Sequence, residues 1–181
     1  MVKIRKANIE DLEQIVEIAQ KVELNRDSSK KEGFIVYVLD SESYTSRIEI
    51  SNHFYVAESE EGLWGYLMCY SQDEFQQIYN SGELNHEDNL SQVISKIEGK
   101  FIFRDQIALM PGTERNGIGN ALMKKLFEDM QNEGIFRMYV GVLEEPMRNL
   151  ASEKFVVALG FYKFESINNG DGTQWGIYLR N

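Results

Sequence analysis

The chain has 181 residues and a mass of 21.0 kDa, the size of one domain with a single sizeable core. Its 43% hydrophobic content, 12% aromatics and two prolines exclude a collagenous or bulk-disordered protein. A formal net charge of −10 argues against nucleic-acid binding, because an acidic surface repels the phosphate backbone.

The longest wholly apolar run, residues 34–39, is far short of the roughly 20 residues that cross a bilayer. The basic start between Lys3 and Lys6 is not followed by a signal-peptide core, so a cytoplasmic protein with no membrane partner is expected. A lone cysteine, Cys69, excludes an internal disulfide and reads as a buried core thiol. With only His53 and His86 besides, no metal-ligand spacing occurs and no metal is expected. The acid is unevenly spread. Residues 1–110 carry 11 Lys+Arg against 20 Asp+Glu, net −9, whereas residues 111–163 carry seven of each.

Residues 2–5 alternate as a strand, after which Asn8 offers an N-cap and Leu12, Ile15, Val16, Ala19 and Val22 repeat on one helical face. Residues 28–50 mix periodicities, and the spacing predicts a second helical region there. Residues 53–58 and 63–70 are aromatic and β-branched runs joined by a polar connection at 58–62, which predicts a hairpin. The polar stretch 72–99 holds Phe75, Ile78 and Tyr79, then Leu90, Val93, Ile94 and Ile97, and reads as a two-helix insertion between strands.

Residues 101–103 and 107–110 read as one long strand, interrupted at 104–106 and stopped by Pro111-Gly112. Ile118, Leu122, Leu126 and Met130 then mark the best-defined helix, with Gly134 as its stop signal. A strand at 135–142 follows, then Pro146 at a helix first turn and an apolar face of Leu150, Ala151, Phe155, Ala158 and Leu159. Strands at 161–166 and 174–179 flank a turn at 168–172. No linker or repeat divides the chain, so residues 1–181 form one domain.

The segment Glu114-Arg115-Asn116-Gly117-Ile118-Gly119-Asn120 runs from a strand straight into a helix. Its glycines let backbone approach a ligand, and amides at a helix start make a phosphate cradle without basic side chains. It is not a Walker A loop, which ends Gly-Lys-Ser/Thr. Nor is it a Rossmann fingerprint, since position 122 is Leu and the strand is entered from a meander.

Taken together, this turn, the stretch Asp105-Gln106-Ile107-Ala108-Leu109-x-Pro111, Asn149 and the closing Leu159-Gly160-Phe161 resemble the GNAT superfamily of N-acetyltransferases over nearly the whole chain. The resemblance implies an α/β fold with a mixed, mostly antiparallel sheet of six or seven strands flanked by helices. It also implies acetyl-CoA as co-substrate, bound in a splay between the fourth and fifth strands. Ile107, Ala108 and Leu109 would pair with the pantetheine arm. Amides of Arg115, Asn116, Gly117, Ile118, Gly119 and Asn120 would hold the pyrophosphate, and Asn149 would bond the arm. Two positions depart from the family pattern. Glu114 stands where Gln or Arg is usual and is expected to turn outward. Val156 replaces the tyrosine that protonates the departing thiolate, and valine has no proton to give.

The implied activity is acetyl transfer to a primary amine of a small molecule or peptide by direct attack, in a monomer or homodimer. Asp105 is the leading candidate base because it lies on the central strand just upstream of the thioester position, with a structural carboxylate as the alternative reading; Glu58 is a second candidate. The acid of residues 1–110 points to a cationic acceptor. An acyl-CoA-binding or sensing module without turnover is the competing reading. Aromatics at 66, 70, 101, 103 and 139 read as core.

Overall fold

The computed structural model describes residues 2–24, 33–84, 86–114 and 116–181. Seven strands form one sheet: β1 (Lys3–Lys6), β2 (His53–Ser59), β3 (Gly62–Ser71), β4 (Ile102–Leu109), β5 (Met138–Glu145), β6 (Tyr162–Asn168) and β7 (Gln174–Arg180). Their order across the sheet is β1-β2-β3-β4-β5-β7-β6. Neighbours are antiparallel except β4 and β5, which run parallel and are joined through a helical crossover.

Helices cover both faces. α1 (Leu12–Val22), α2 (Ser41–Ile50), α3 (Gln72–Asn80) and α4 (Asn89–Ser95) pack on one side against Phe54, Tyr66, Met68, Tyr70 and Phe103. The crossover helix α5 (Ile118–Glu133) and α6 (Leu150–Ala158) pack on the other against Leu67, Cys69, Ile102, Met138 and Val140. Burial on both faces explains why β3 reads as a nearly continuous apolar run rather than an alternating one.

Local signals set the boundaries. Asn8 caps the 3₁₀ turn ahead of α1, Ser71 and Glu74 form a capping box at α3, and Gly134 ends α5 at φ +66°. The hairpin, the two insertion helices and the α5 boundaries stand where the sequence places them. Three expectations change. Residues 33–40 are not helical: Ile35 bridges Glu23 in parallel, its amide donating to Val22 O and its carbonyl accepting from Leu24 N, and Asp40 caps a helix that begins only at Ser41. Residues 28–32 lie outside the described residues. Pro146 precedes α6, whose N-cap is Asn149. Residues 104–106 do not interrupt β4 but carry a bulge within it.

That bulge shapes the centre of the molecule. On β3, Met68 faces Gln106 and Cys69 faces Arg104, so Asp105 is an extra residue with no partner. Pairing between β4 and β5 covers only Ile102–Arg104 against Met138–Val140 and ends at the bulge. Beyond it the two strands splay apart.

Candidate active site

The splay leaves a free strand edge. Met110 N–H donates to Trp64 O, so strict antiparallel alternation turns the backbone groups of Ala108 and Gln106 toward β3 and those of Ile107 and Leu109 toward the gap. The expectation of three consecutive backbone partners at Ile107, Ala108 and Leu109 therefore narrows to two, because Ala108 spends its groups on Tyr66.

This edge runs on to the glycine turn. Gly117 sits at φ +75° with open space where a Cβ would stand, a conformation and clearance that favour glycine. Gly119 packs as a close contact, its Cβ position lying 3.3 Å from Phe155 Cζ, which draws the first turn of α5 onto α6. Asn116, Gly117 and Asn120 are exposed, and Ile118 and Gly119 are buried. Arg115 lies outside the described residues. Glu114 turns outward as expected, but its Oε2 accepts from Gly112 N–H at 2.8 Å and caps the preceding turn rather than α5.

A cavity of about 360 Å³ opens at the bulge, reaching from Phe75 and Leu90 on the α3 and α4 side to Arg104 and to Ser152 of α6. Phe34, Phe75, Leu90 and Trp175 supply apolar wall, and Glu83, Asp88 and Asp105 supply carboxylates. The bulge places Asp105 on the same face as Gln106. Asp105 accepts from Tyr37 OH at 2.7 Å and Tyr70 OH at 2.9 Å. Gln106 accepts from Tyr44 and Tyr66 at 3.0 and 2.7 Å and donates to Tyr37 O. Burial pushes the Asp105 carboxyl above its ordinary range, and the two tyrosine hydroxyls hold it back. A carboxylate so placed is a stronger base than one in water.

Glu83 accepts from the buried Arg47 at 2.6 Å, and Asp88 accepts from Ser91 N at 2.7 Å and Asn169 Nδ2 at 2.6 Å. Residues 33–37 strap across the cavity. Asn149 Nδ2 donates to Phe34 O at 2.8 Å while its Oδ1 caps Ser152 N, so in this structure its amide holds the strap and the start of α6. Glu58 is not brought here. Its carboxylate accepts from Arg5 Nε and Nη2 at 3.0 Å, beside Asp11 and away from the cavity, which removes it as a base at this site.

On the opposite face of β4, Arg104 is 3% exposed, donates to Ser152 Oγ at 3.3 Å and leaves Nη1 without a partner. Burial pushes its guanidinium down to about 10. Cys69 is in register with Arg104, nearer the apex than its place in the sequence implies, and burial raises its thiol well above the ordinary value. It is neutral and inaccessible. Sequence reasoning passed over Arg104, Tyr37 and Tyr70; the only trace of their role was a polar triplet inside an apolar strand.

The free edge, the open glycine cradle and the orphaned cation fit a ligand with a phosphate end, a peptide-like arm and an acyl end. A sheet that splays after β4 beside a glycine-bearing helix start defines an acyl-CoA-type transferase fold. The sequence agrees: residues 14–161 match the model of the acetyltransferase (GNAT) family, and the chain belongs to that family of acyltransferases. No protein of curated function matches it in sequence.

Among solved structures, the chain is similar to the PaiA N-acetyltransferase of Thermoplasma acidophilum in complex with coenzyme A, with TM-score 0.68 and 17% identity over 100% of this chain and 99% of that one. It is similar to the polyamine N-acetyltransferase of Drosophila melanogaster, which forms N-acetylagmatine, with TM-score 0.67 and 11% identity over 99% of each chain. The ribosomal-protein-S18-alanine N-acetyltransferase of Escherichia coli aligns with TM-score 0.66 and 14% identity, over 99% of this chain and 93% of that one. These likenesses establish the fold. No helix among the described residues is long and apolar enough to cross a membrane.

Proposed function

We propose that this chain is an acetyl-CoA-dependent N-acetyltransferase in which the primary amine of a cationic acceptor, once deprotonated, attacks the thioester directly. One observation carries the reading: a strand edge with two free backbone partners, Ile107 and Leu109, leads from an open glycine cradle to a half-buried carboxylate, Asp105, in the wall of a cavity. The donor supplies the activated acetyl group. The amides from Asn116 to Asn120 would hold its pyrophosphate and the β4 edge its arm.

Asp105 takes the proton that an ammonium must lose before nitrogen can attack a carbonyl, a role worth about 10²–10⁴ in rate. Tyr37 and Tyr70 fix the direction in which that carboxylate points. Asp88 adds negative charge to the same walls, with the charge of Glu83 met by Arg47, which favours a cationic acceptor such as a polyamine, a sugar amine or a basic peptide terminus. The neighbouring structures include a polyamine N-acetyltransferase and a ribosomal-protein-S18-alanine N-acetyltransferase, in keeping with an amine of either a small molecule or a protein.

A panel of cationic, neutral and anionic amines, with acetyl-CoA and a thiol-detecting readout of CoA release, tests this. The best acceptor is expected to be cationic, and an anionic best acceptor refutes that assignment. Thermal stabilisation by acetyl-CoA without turnover on any amine makes the chain an acyl-CoA-binding module instead. Turnover that vanishes in Cys69→Ala with folding retained rules out direct attack.

A further inference from the structure

Arg104 is a buried cation with no counter-charge among the described residues. A guanidinium taken out of water is costly to a fold unless a carboxylate or a full set of acceptors meets it. Here Nη2 has one contact, Ser152 Oγ at 3.3 Å, and Nη1 has none. No ion pair to Arg104 exists among the described residues. The titratable groups around it do not neutralise it. Cys69, facing it on β3, is a buried neutral thiol, and Asp105, next in the chain, is turned to the other face and engaged by Tyr37 and Tyr70.

Its position is specific. Arg104 is the last β4 residue paired with β5, so it stands at the apex of the splay, and Ile107 and Leu109 continue from it along the free edge to the glycine turn. A ligand whose phosphates sit at the start of α5 and whose arm follows that edge brings its far end to Arg104. Under the function proposed above, on which this inference rests, that end is the thioester sulfur. Across the apex, α6 presents Ser152 one turn before Val156, on the same face. Helical side chains lean toward the N-terminus, so a tyrosine at position 156 would lean to the level that Ser152 and Arg104 occupy.

We propose that the Arg104 guanidinium, steadied by Ser152, receives the negative charge of the departing CoA thiolate, in place of a proton-donating tyrosine. The ammonium gives one proton to the Asp105 carboxylate, which passes it to solvent; the freed lone pair forms the C–N bond, and the second N–H proton goes to Asp105 as the adduct collapses. The C–S bond breaks with its electron pair on sulfur, and the thiolate leaves paired with Arg104 and takes a proton from solvent after release. Arginine holds its own proton throughout, because even lowered to about 10 it titrates above an ordinary thiol at about 8.5. The arrangement is electrostatic stabilisation of developing charge, not general acid catalysis.

The thiol of CoA bound to the full chain can be titrated directly by thiolate ultraviolet absorbance, and CoA can be compared with its desulfo analogue by calorimetry. The bound thiol is expected to titrate at least one unit below that of free CoA, a tenfold gain in thiolate. Arg104→Lys is expected to keep most of that shift. Arg104→Met is expected to abolish it and to weaken CoA binding about tenfold at pH 8.5, while leaving desulfo-CoA affinity unchanged. A wild-type complex whose thiol titrates like free CoA overturns the inference without any variant having to fold. So does an Arg104→Met protein that keeps the shift but loses affinity for the acceptor amine, which would make Arg104 a reader of the acceptor. Failure of the wild-type chain to bind either CoA or desulfo-CoA overturns the proposed function itself.

Discussion

Glu74 closes the capping box of α3 and fastens it to Asn52, and its replacement by glutamine should show how much that hold contributes. It is 8% exposed and accepts four hydrogen bonds or contacts from neighbouring groups: Asn52 N and Asn52 Nδ2 at 2.8 Å on Oε1, Ser71 N at 2.8 Å on Oε2, and His53 Nδ1 at 3.7 Å. Burial alone would raise its carboxyl, but His53 and the Asn52 and Ser71 donors outweigh it and bring the group from 4.5 down to about 2. A lowered folded value means that the unfolded chain binds the proton more readily, so the stabilisation is full above about pH 4.5 and is lost as pH falls toward 2. Holding the group at about 2 against 4.5 in the unfolded chain corresponds to about 3 kcal/mol at pH 7 and about 1.4 kcal/mol at pH 3. Glu74→Gln sets an amide NH₂ against the Ser71 donor, and urea unfolding should show it less stable by up to about 3 kcal/mol at pH 7. Because acid removes the same charge from the wild type, the gap should narrow to about 1.4 kcal/mol at pH 3 and close near pH 2. A deficit that stays constant with pH would refute the linkage and leave only a steric cost.

Asp105→Asn should lower kcat/KM by about 10²–10⁴ and remove the acid limb of the pH–rate profile. That limb should lie above the ordinary carboxylate range in the wild type, because burial raises the group. The stability sign is opposite to that of Glu74: a raised folded value favours the fold at low pH and is lost as pH rises through it, so the variant should gain stability relative to wild type at neutral pH. An unchanged profile would leave Asp105 a structural carboxylate. Gly117→Val forces a β-branched residue to φ +75° and fills the open cradle, and should cost about 1–2 kcal/mol in chemical denaturation together with most CoA affinity; CoA affinity left intact would move the phosphate site elsewhere. Glu83→Gln should raise KM for a cationic acceptor with little change in KM for acetyl-CoA, and the reverse pattern would count against an acceptor role for this wall.

The sheet was legible in the chain because its signals are local. Aromatic and β-branched runs at 53–58 and 63–70, a Pro-Gly stop after β4, the i+4 repeat of α5 and Gly134 each report the conformation of their own neighbourhood. Residues 33–39 misled because an apolar six-residue run is ambiguous in periodicity, and its extended form is decided by the bridge to Glu23 and by donors from Asn149 and Gln106, which are distant in sequence. The cradle was visible as glycines next to a helix pattern. Arg104 was not, because one arginine in a strand carries no mark of burial, and its meaning depends on α6 lying across the apex. Glu58 failed as a candidate for the converse reason: its position at a strand end was read correctly, but its partner is Arg5 on the neighbouring β1, which it shares with Asp11.

The bulge at Asp105 links these observations to one cause. In an unbroken strand, Asp105 would share a face with Ile107 and Leu109, and Arg104 would share one with Gln106. One extra residue reverses the upstream phase, so that Asp105 joins Gln106 on the α3 and α4 side and Arg104 turns to Ser152 on the α6 side. The same residue ends the β4–β5 ladder and opens the gap between them. Two opposite charges adjacent in the chain are thereby kept on opposite faces of the sheet at the point where it parts. Had they paired with each other, the carboxylate would be a weaker base and the guanidinium would have no charge to offer a leaving group. Separated, one side of the apex is furnished to accept a proton and the other to accept negative charge, which is the division that attack by an amine on a thioester requires.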